Sequence, residues 1–138
     1  MGKNEFYKII GDVLQEKITL MFITQEIKAQ IDKFIHMFGI RPSHIDGHNH
    51  IHVIPGIAEK ICEVASLYGI YSVRMPRPIK MAYDKPNEVL NQFNRLFVQN
   101  SQHSEKIYAQ NGFIFPDYLI GLETMGSDLT IEAILSQI

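Results

Sequence analysis

The stretch His44-Ile45-Asp46-Gly47-His48-Asn49-His50-Ile51-His52 (the histidine segment) holds four of the six histidines in a chain of 138 residues. Its four imidazoles and its one carboxylate occupy every second position. Buried imidazoles that lack hydrogen-bond partners cost free energy. Neutral imidazole is also a common metal ligand and titrates near neutral pH. The pattern therefore favours a metal site or an acid–base site over a solvated, histidine-rich edge.

The backbone conformation of the histidine segment decides which of its side chains can act together. In an extended chain alternate side chains share a face, so the four histidines and Asp46 would point the same way. At ~3.3 Å per residue, His48 and His52 would lie about 13 Å apart, which leaves neighbours such as His48 and His50 for one ion. In a helix, His44 and His48 would have the spacing of helical zinc pairs. The glycine, the isoleucines and the flanking prolines disfavour a helix, so we expect a strand that runs into a loop.

Helices and short strands alternate along the rest of the chain. Apolar spacing predicts one helix from Thr24, as its N-cap, to Gly39, and a second helix from Ile57 to Gly69. The remaining predicted elements are a strand at 70–74, a helix at 89–97 with a candidate interruption at 100–105, a strand at 113–115, and a last helix from Asp128 or Thr130.

This alternation predicts the fold class. Helices between short strands indicate an α/β fold of parallel β/α units. The strands need cover on both faces, as in an open sheet or a β/α barrel. Because an eight-fold barrel takes ~250 residues, the chain forms either a small sheet or part of a larger barrel. No linker or low-complexity segment divides it, so we expect one domain over residues 1–138.

Composition narrows the function classes. The net charge is −2 and the basic residues are scattered, so we expect no nucleic-acid partner. No stretch approaches the ~18–20 apolar residues of a spanning helix, so we expect no membrane partner. The single cysteine, Cys62, has the neighbours of a buried helical residue rather than of a nucleophile. A cytoplasmic location is the resulting expectation.

A longer stretch around the histidine segment resembles a known family. Residues 39–55 read GIRPSHIDGHNHIHVIP, similar to the signature G-x-x-P-T/S-H-x-D-S/G-H-x-H-x-H of the YdjC-like carbohydrate deacetylases, which include the chitooligosaccharide deacetylases. Shorter matches flank the signature in the family's order: Glu26 with Gln30, Val73-Arg74-Met75-Pro76, and Pro116-Asp117-Tyr118-Leu119-Ile120-Gly121. The resemblance covers residues 24–121.

The resemblance implies a metal-dependent hydrolase that removes N-acetyl groups from amino sugars or chitooligosaccharides, on a β/α-barrel-like fold. The family holds a divalent ion, Mg²⁺ or Zn²⁺, with one aspartate and two histidines, and motif position makes His48 one of these ligands. Asp46 is the catalytic candidate for a base or for orienting a ligating imidazole, and His50 for moving a proton. The candidates for binding substrate are His44, His52 and Arg74.

Two segments that carry the family's other ligands, A-D-D-F-G and G-x-H, do not occur in these 138 residues. We therefore expect a partial deacetylase domain that is inactive alone. A complementing N-terminal fragment would complete the site. Exposed sheet edges would otherwise favour a homo-oligomer.

Two alternatives stay open. The chain is a non-catalytic remnant or a metal-binding subunit that completes its site with a partner. Otherwise it is an amidohydrolase-type metal hydrolase, because residues 45–50 also resemble the I-D-x-H-x-H strand of that superfamily. Amidohydrolases need further histidines on later strands, and only His103 follows the histidine segment.

Overall fold

The computed structural model describes residues 8, 11–12, 15, 18–77, 88–119 and 130–135. The helices that organise this part are α1 (Leu20–Phe38), α2 (Ile57–Leu67), α3 (Glu88–Gln110) and the short α4 (Ile131–Leu135). A 3₁₀ turn at His48–Val53 lies between α1 and α2. Within these ranges, no helix combines the length and apolar character needed to cross a bilayer.

Helix α1 begins five residues earlier than the sequence predicts. Thr19, not Thr24, is the N-cap: its Oγ1 accepts a hydrogen bond from the backbone N–H of Phe22 at 3.2 Å. Thr24 lies inside the helix and donates from Oγ1 to the Leu20 carbonyl at 2.9 Å. The predicted C-terminal end is confirmed, because Gly39 adopts a left-handed φ of 68° and donates to the Ile35 carbonyl.

Helix α2 confirms its sequence prediction. Its N-terminus is capped by Glu59, whose Oε2 accepts from the Gly56 N–H at 2.7 Å. Gly69 follows the helix with a φ of 65°. Cys62 is buried, and burial raises the pKa of its thiol to about 11, as expected for a packed residue. The buried stripe of α2 consists of Ile57, Ala58, Ile61, Cys62, Val64 and Ala65.

Helix α3 runs without a break through the polar stretch at 100–105 that the sequence marked as a candidate interruption. Two serines of this stretch, Ser101 and Ser104, face inward and are buried. Ser104 donates from Oγ to the Val53 carbonyl at 2.8 Å. This inward serine therefore has a hydrogen-bond partner in the packed turn beside the helix. Leu96, predicted on the apolar face, is instead 44% exposed.

The predicted strands are present only as two isolated parallel bridges among the described residues. Ile45 pairs with Val73, and Ser72 pairs with Ile114. The segment around 72–73 therefore lies between the other two. The described part is mostly helical, and neither the α/β class of parallel β/α units nor the single domain follows from these bridges. Both stay predictions.

The core lies where α1, α2 and α3 meet these bridged segments. It includes Ile23 and Ile31 of α1, the α2 stripe, and Phe97 and Tyr108 of α3. The end of the histidine segment enters this core directly, because His52, Val53 and Ile54 are all at most 1% exposed. α4 begins at Ile131, just after Thr130. The alternative start at Asp128, and residues 120–121 of the flanking motif, lie outside the described residues.

Candidate functional site

The histidine segment begins as a bridged extended chain and then turns sharply. Ile45 is held by the Ser72 carbonyl and by the N–H of Arg74, at 2.9 and 3.0 Å. Asn49 and His50 then adopt left-handed conformations, with φ of 49° and 62°. Two such residues in succession break the two-residue alternation of a strand. The common face that an extended chain would give the four histidines does not form.

His52 is the buried end of the segment, with no exposed surface. Its Nδ1 accepts from the Gly47 N–H at 3.1 Å, and its Nε2 lies 2.6 Å from the Arg74 carbonyl oxygen. Because a backbone N–H can only donate, the ring is neutral with its proton on Nε2, which donates to that carbonyl. Burial lowers the pKa of His52 and favours this neutral form.

Gly47 is the position in the segment with no room for a side chain. A Cβ there would lie 2.5 Å from Nδ1 of His52. The φ of Gly47 is −85°, which any residue can adopt, so the constraint is the approach of the imidazole and not the backbone angle.

Arg74 brings two predicted site residues together. Its Nη2 donates to Oδ1 of Asp46 at 2.8 Å and to Nδ1 of His50 at 3.1 Å. Nη2 has two hydrogens, so one nitrogen serves both contacts. Asp46 keeps 45% of its side chain exposed and Arg74 keeps 28%, so the cluster is reachable from solvent.

His50 is the less exposed member of this cluster. Burial lowers its pKa to about 4, and the charges of Arg74 and His52 act in the same direction, while Asp46 opposes them. The ring packs 5.4 Å from that of Phe97. Since Nδ1 accepts from Arg74, the neutral ring carries its proton on Nε2. His50 can therefore offer a hydrogen-bond donor at Nε2.

The other two histidines of the segment lie on the surface. His44 contacts Ser43, with Nδ1 and Oγ 2.9 Å apart. His48 is exposed, and its side chain makes no hydrogen bond or ion pair with the described residues. Within the same part of the chain, no three His, Cys, Asp or Glu side chains group closely enough to hold a metal. Hydrolytic sites use about three protein ligands, so the described residues alone do not fit a divalent ion.

Sequence reasoning missed the residues of α3 that hold the segment. Tyr108 donates from its hydroxyl to the His52 carbonyl at 2.8 Å, beside the contact of Ser104 with Val53. The available signal was spacing, because buried residues at 97, 101, 104 and 108 share one helical face. A serine on an otherwise apolar face is a signal for a buried polar partner, which Ser104 has and which Ser101 lacks among the described residues.

Comparison with known proteins places this site in a family. The family model described as "YdjC-like protein" matches residues 2–138. The chain belongs to the YdjC-like family. The match confirms the resemblance carried by the histidine segment and extends it beyond residues 24–121.

Several curated relatives of this YdjC-like chain have names that state an activity. The carbohydrate deacetylase of Danio rerio is 32% identical over 133 residues, which are 95% of this chain and 41% of the relative. The carbohydrate deacetylase of Xenopus laevis is 29% identical over 132 residues, 94% of this chain and 41% of the relative. The chitooligosaccharide deacetylase of Enterobacter sp. (strain 638) is 33% identical over 70 residues, 51% of this chain and 27% of the relative.

The chain thus spans about two fifths of the length of the first two of these relatives. No solved structure matches it.

Proposed function

We propose that this YdjC-like chain is part of a carbohydrate deacetylase, a hydrolase that removes N-acetyl groups from amino sugars or chitooligosaccharides. The names of its relatives support the reaction. The observation that carries the assignment of the site is the position of the Arg74 guanidinium between Asp46 and His50. These residues combine a carboxylate, a cation and a neutral donor, three groups that amide hydrolysis uses.

Asp46 and His50 would have different roles in this reaction. Water adds to the carbonyl carbon of the N-acetyl group, the C–N bond breaks, and acetate and the free amine leave. The half-exposed carboxylate of Asp46 accepts the proton of the attacking water and returns it to the leaving nitrogen. His50, neutral with its proton on Nε2, donates a hydrogen bond to the developing oxyanion. Arg74 holds both groups in place.

His44 and Arg74 are the proposed contacts for the sugar. His44 is exposed, and its ring can hydrogen-bond hydroxyl groups that approach from solvent. Arg74 keeps part of its guanidinium exposed while it holds Asp46. His52 was predicted to contact substrate as well. That role stays a prediction, and the burial of His52 favours an indirect one.

A divalent ion, Mg²⁺ or Zn²⁺, is proposed with His48 as one ligand. Its further ligands would come from outside the described residues, because the chain spans about two fifths of its relatives. We propose that the rest of a β/α-barrel-like fold also comes from outside the described residues. The two parallel bridges support a fold of this kind. A complementing N-terminal fragment or a second copy of the chain is the proposed partner.

Acetate release tests the function. The purified chain, alone and together with the N-terminal part of a YdjC-like relative, is incubated with N-acetylglucosamine oligomers and Mg²⁺ or Zn²⁺, and free acetate is measured alongside oligomer binding by calorimetry. We expect release from the complemented mixture and not from the chain alone. Asp46→Asn should abolish this release, and Asp32→Asn, a matched change on the exposed face of α1, should leave it intact. Saturable binding without release would favour the non-catalytic subunit. The absence of both from a folded chain would contradict the proposal.

A further inference from the structure

His52 joins backbone groups of the two segments that carry the proposed active site. Through Nδ1 it accepts from Gly47, the residue between Asp46 and His48, and through Nε2 it donates to the Arg74 carbonyl. We propose that His52 is a positioning residue that fixes the turn carrying Asp46 and His48 relative to Arg74. This inference rests on the proposed function, because the groups it positions are the proposed catalytic and ligating ones.

The contacts around His52 form a closed path. From the His52 ring the path runs through the Arg74 backbone to the Arg74 guanidinium, across to the Asp46 carboxylate, and back through Gly47 to the ring. The N–H of Arg74 is also held, by the Ile45 carbonyl at 3.0 Å. Both polar backbone groups of Arg74 are therefore fixed. The guanidinium starts from a defined position when it meets Asp46 and His50.

The turn that begins at Gly47 also depends on the His52 ring. Gly47 uses both of its backbone groups in it: its N–H donates to His52, and its carbonyl accepts from the His50 N–H at 3.0 Å. The left-handed conformations of Asn49 and His50 persist only where surrounding contacts enforce them. The ring of His52 supplies one such contact, with Gly47 at the start of the turn. The backbone of His52 lies at the other end of the same turn.

Helix α3 holds His52 from the other side. The Tyr108 hydroxyl and the Ser104 hydroxyl donate to the carbonyls of His52 and Val53, both at 2.8 Å. The imidazole therefore projects from a fixed backbone and has little freedom to move. A positioning group requires this property, because catalytic geometry is sensitive to displacements of about 1 Å.

The chemistry of the two contacts explains why a histidine occupies this position. One acceptor and one donor are needed on separate edges of a small ring, and neutral imidazole offers both. Asparagine can place an acceptor near the position of Nδ1, and glutamine can place a donor near the position of Nε2. Neither reaches both partners at once. His52→Asn and His52→Gln therefore separate the Gly47 contact from the Arg74 contact.

The first experiment measures the protonation of the His52 ring by NMR and does not depend on catalysis. Long-range ¹H–¹⁵N spectra of the imidazoles and the Arg74 Nε–H signal are recorded for the chain and for both variants. We expect the Nε2–H tautomer for His52 at neutral pH, and we expect both variants to shift the His48, His50 and Arg74 signals. A His52 protonated on Nδ1, or variants that leave those three signals in place, would overturn the inference.

The second experiment measures kinetics. In the presence of the complementing N-terminal fragment, both variants should lower kcat by about 10- to 100-fold, with KM changed less than about threefold. Val64→Ala, a core change in α2 away from the site, controls for loss of stability and should leave kcat within about threefold. An equal loss of kcat in Val64→Ala at matched stability would overturn the inference. If the complemented wild-type chain releases no acetate, the proposed function fails, and the imidazole spectra still decide the role of His52.

Discussion

The guanidinium of Arg74 lies 2.8 Å from the carboxylate of Asp46, although the two residues belong to different bridged segments. The parallel bridge between Ile45 and Val73 brings their backbones side by side, so each residue directly follows a bridged position. Next to this single bridge, His52 adds a side-chain link between the two segments, from its Nε2 to the Arg74 carbonyl.

Arg74→Lys should disrupt this arrangement while keeping the charge. A planar guanidinium places two hydrogens of one nitrogen on Asp46 and His50, whereas an ammonium on a flexible stem does not fix that geometry. We expect acetate release by the chain with its complementing fragment to fall about 10- to 100-fold, with little change in the unfolding temperature of the chain. Arg77→Lys, at the ion pair of Arg77 with Glu105, is the matched control. Equal activity in Arg74→Lys and wild type would show that the contacts of the guanidinium with Asp46 and His50 have no role in the reaction.

Gly47→Ala tests the close approach of the His52 ring. The added Cβ would lie 2.5 Å from Nδ1, so the ring or the turn must shift, at a cost of about 1–3 kcal/mol in the free energy of unfolding. Urea denaturation measures this cost. In a Gly47→Ala, His52→Ala double variant the 2.5 Å approach to Nδ1 is absent, and only the approaches of 3.0 Å to the Cβ and backbone N of residue 52 remain. The costs of the two single variants should therefore sum to more than the cost of the double variant. Simple additivity would contradict the contact.

Local signals predicted the ends of helices, but not the shape of the site. Gly39 and Gly69 each marked a helix end, because a left-handed residue after an apolar stripe is a property of a few neighbouring positions. The cap at Thr19 is equally local, but the apolar residues of the predicted stripe begin only at Ile27, and Thr24 is the cap candidate nearest to it. The left-handed turn at Asn49 and His50 has no such signature.

Contacts from distant parts of the chain determine that turn. Arg74 and Tyr108 hold the two ends of His52, and neither can be placed beside it from sequence spacing alone. Motif resemblance named Asp46, His50 and Arg74 without their geometry. The polar stretch of α3 was misread for the same reason, since the partner of Ser104 is a carbonyl in another segment.

Ser101 and Ser104 of α3 provide a matched pair of substitutions. Both are buried, but Oγ of Ser104 donates to Val53, whereas Oγ of Ser101 has no hydrogen-bond partner among the described residues. Ser104→Ala leaves a buried carbonyl without this donor and should cost about 1–3 kcal/mol in the free energy of unfolding. Ser101→Ala removes an unpaired polar group and should be neutral or stabilising. Thermal and urea unfolding of both variants decide the point, and equal costs would argue against the Ser104 contact.

The stability of the chain should fall as the pH drops below about 6.5, and His52 should account for part of the fall. Burial lowers the pKa of His52 in the folded state from its ordinary value of 6.5. Above pH 6.5 both states are neutral and the contribution is complete. Below it the unfolded chain binds a proton that the folded chain does not, so the free energy of unfolding decreases by up to about 1.4 kcal/mol per pH unit.

Comparison of variants isolates this contribution. His50, whose pKa burial lowers to about 4, adds a loss of the same sign between pH 6.5 and about 4. In wild type, the slope of the free energy of unfolding against pH therefore has contributions from both histidines. In His52→Asn this slope should keep only the part that does not come from His52. Val64→Ala lowers stability but keeps both histidines, so its slope should equal that of wild type. Urea unfolding between pH 7.5 and 5 measures the three slopes, and an unchanged slope in His52→Asn would show that His52 is protonated equally in the folded and unfolded states.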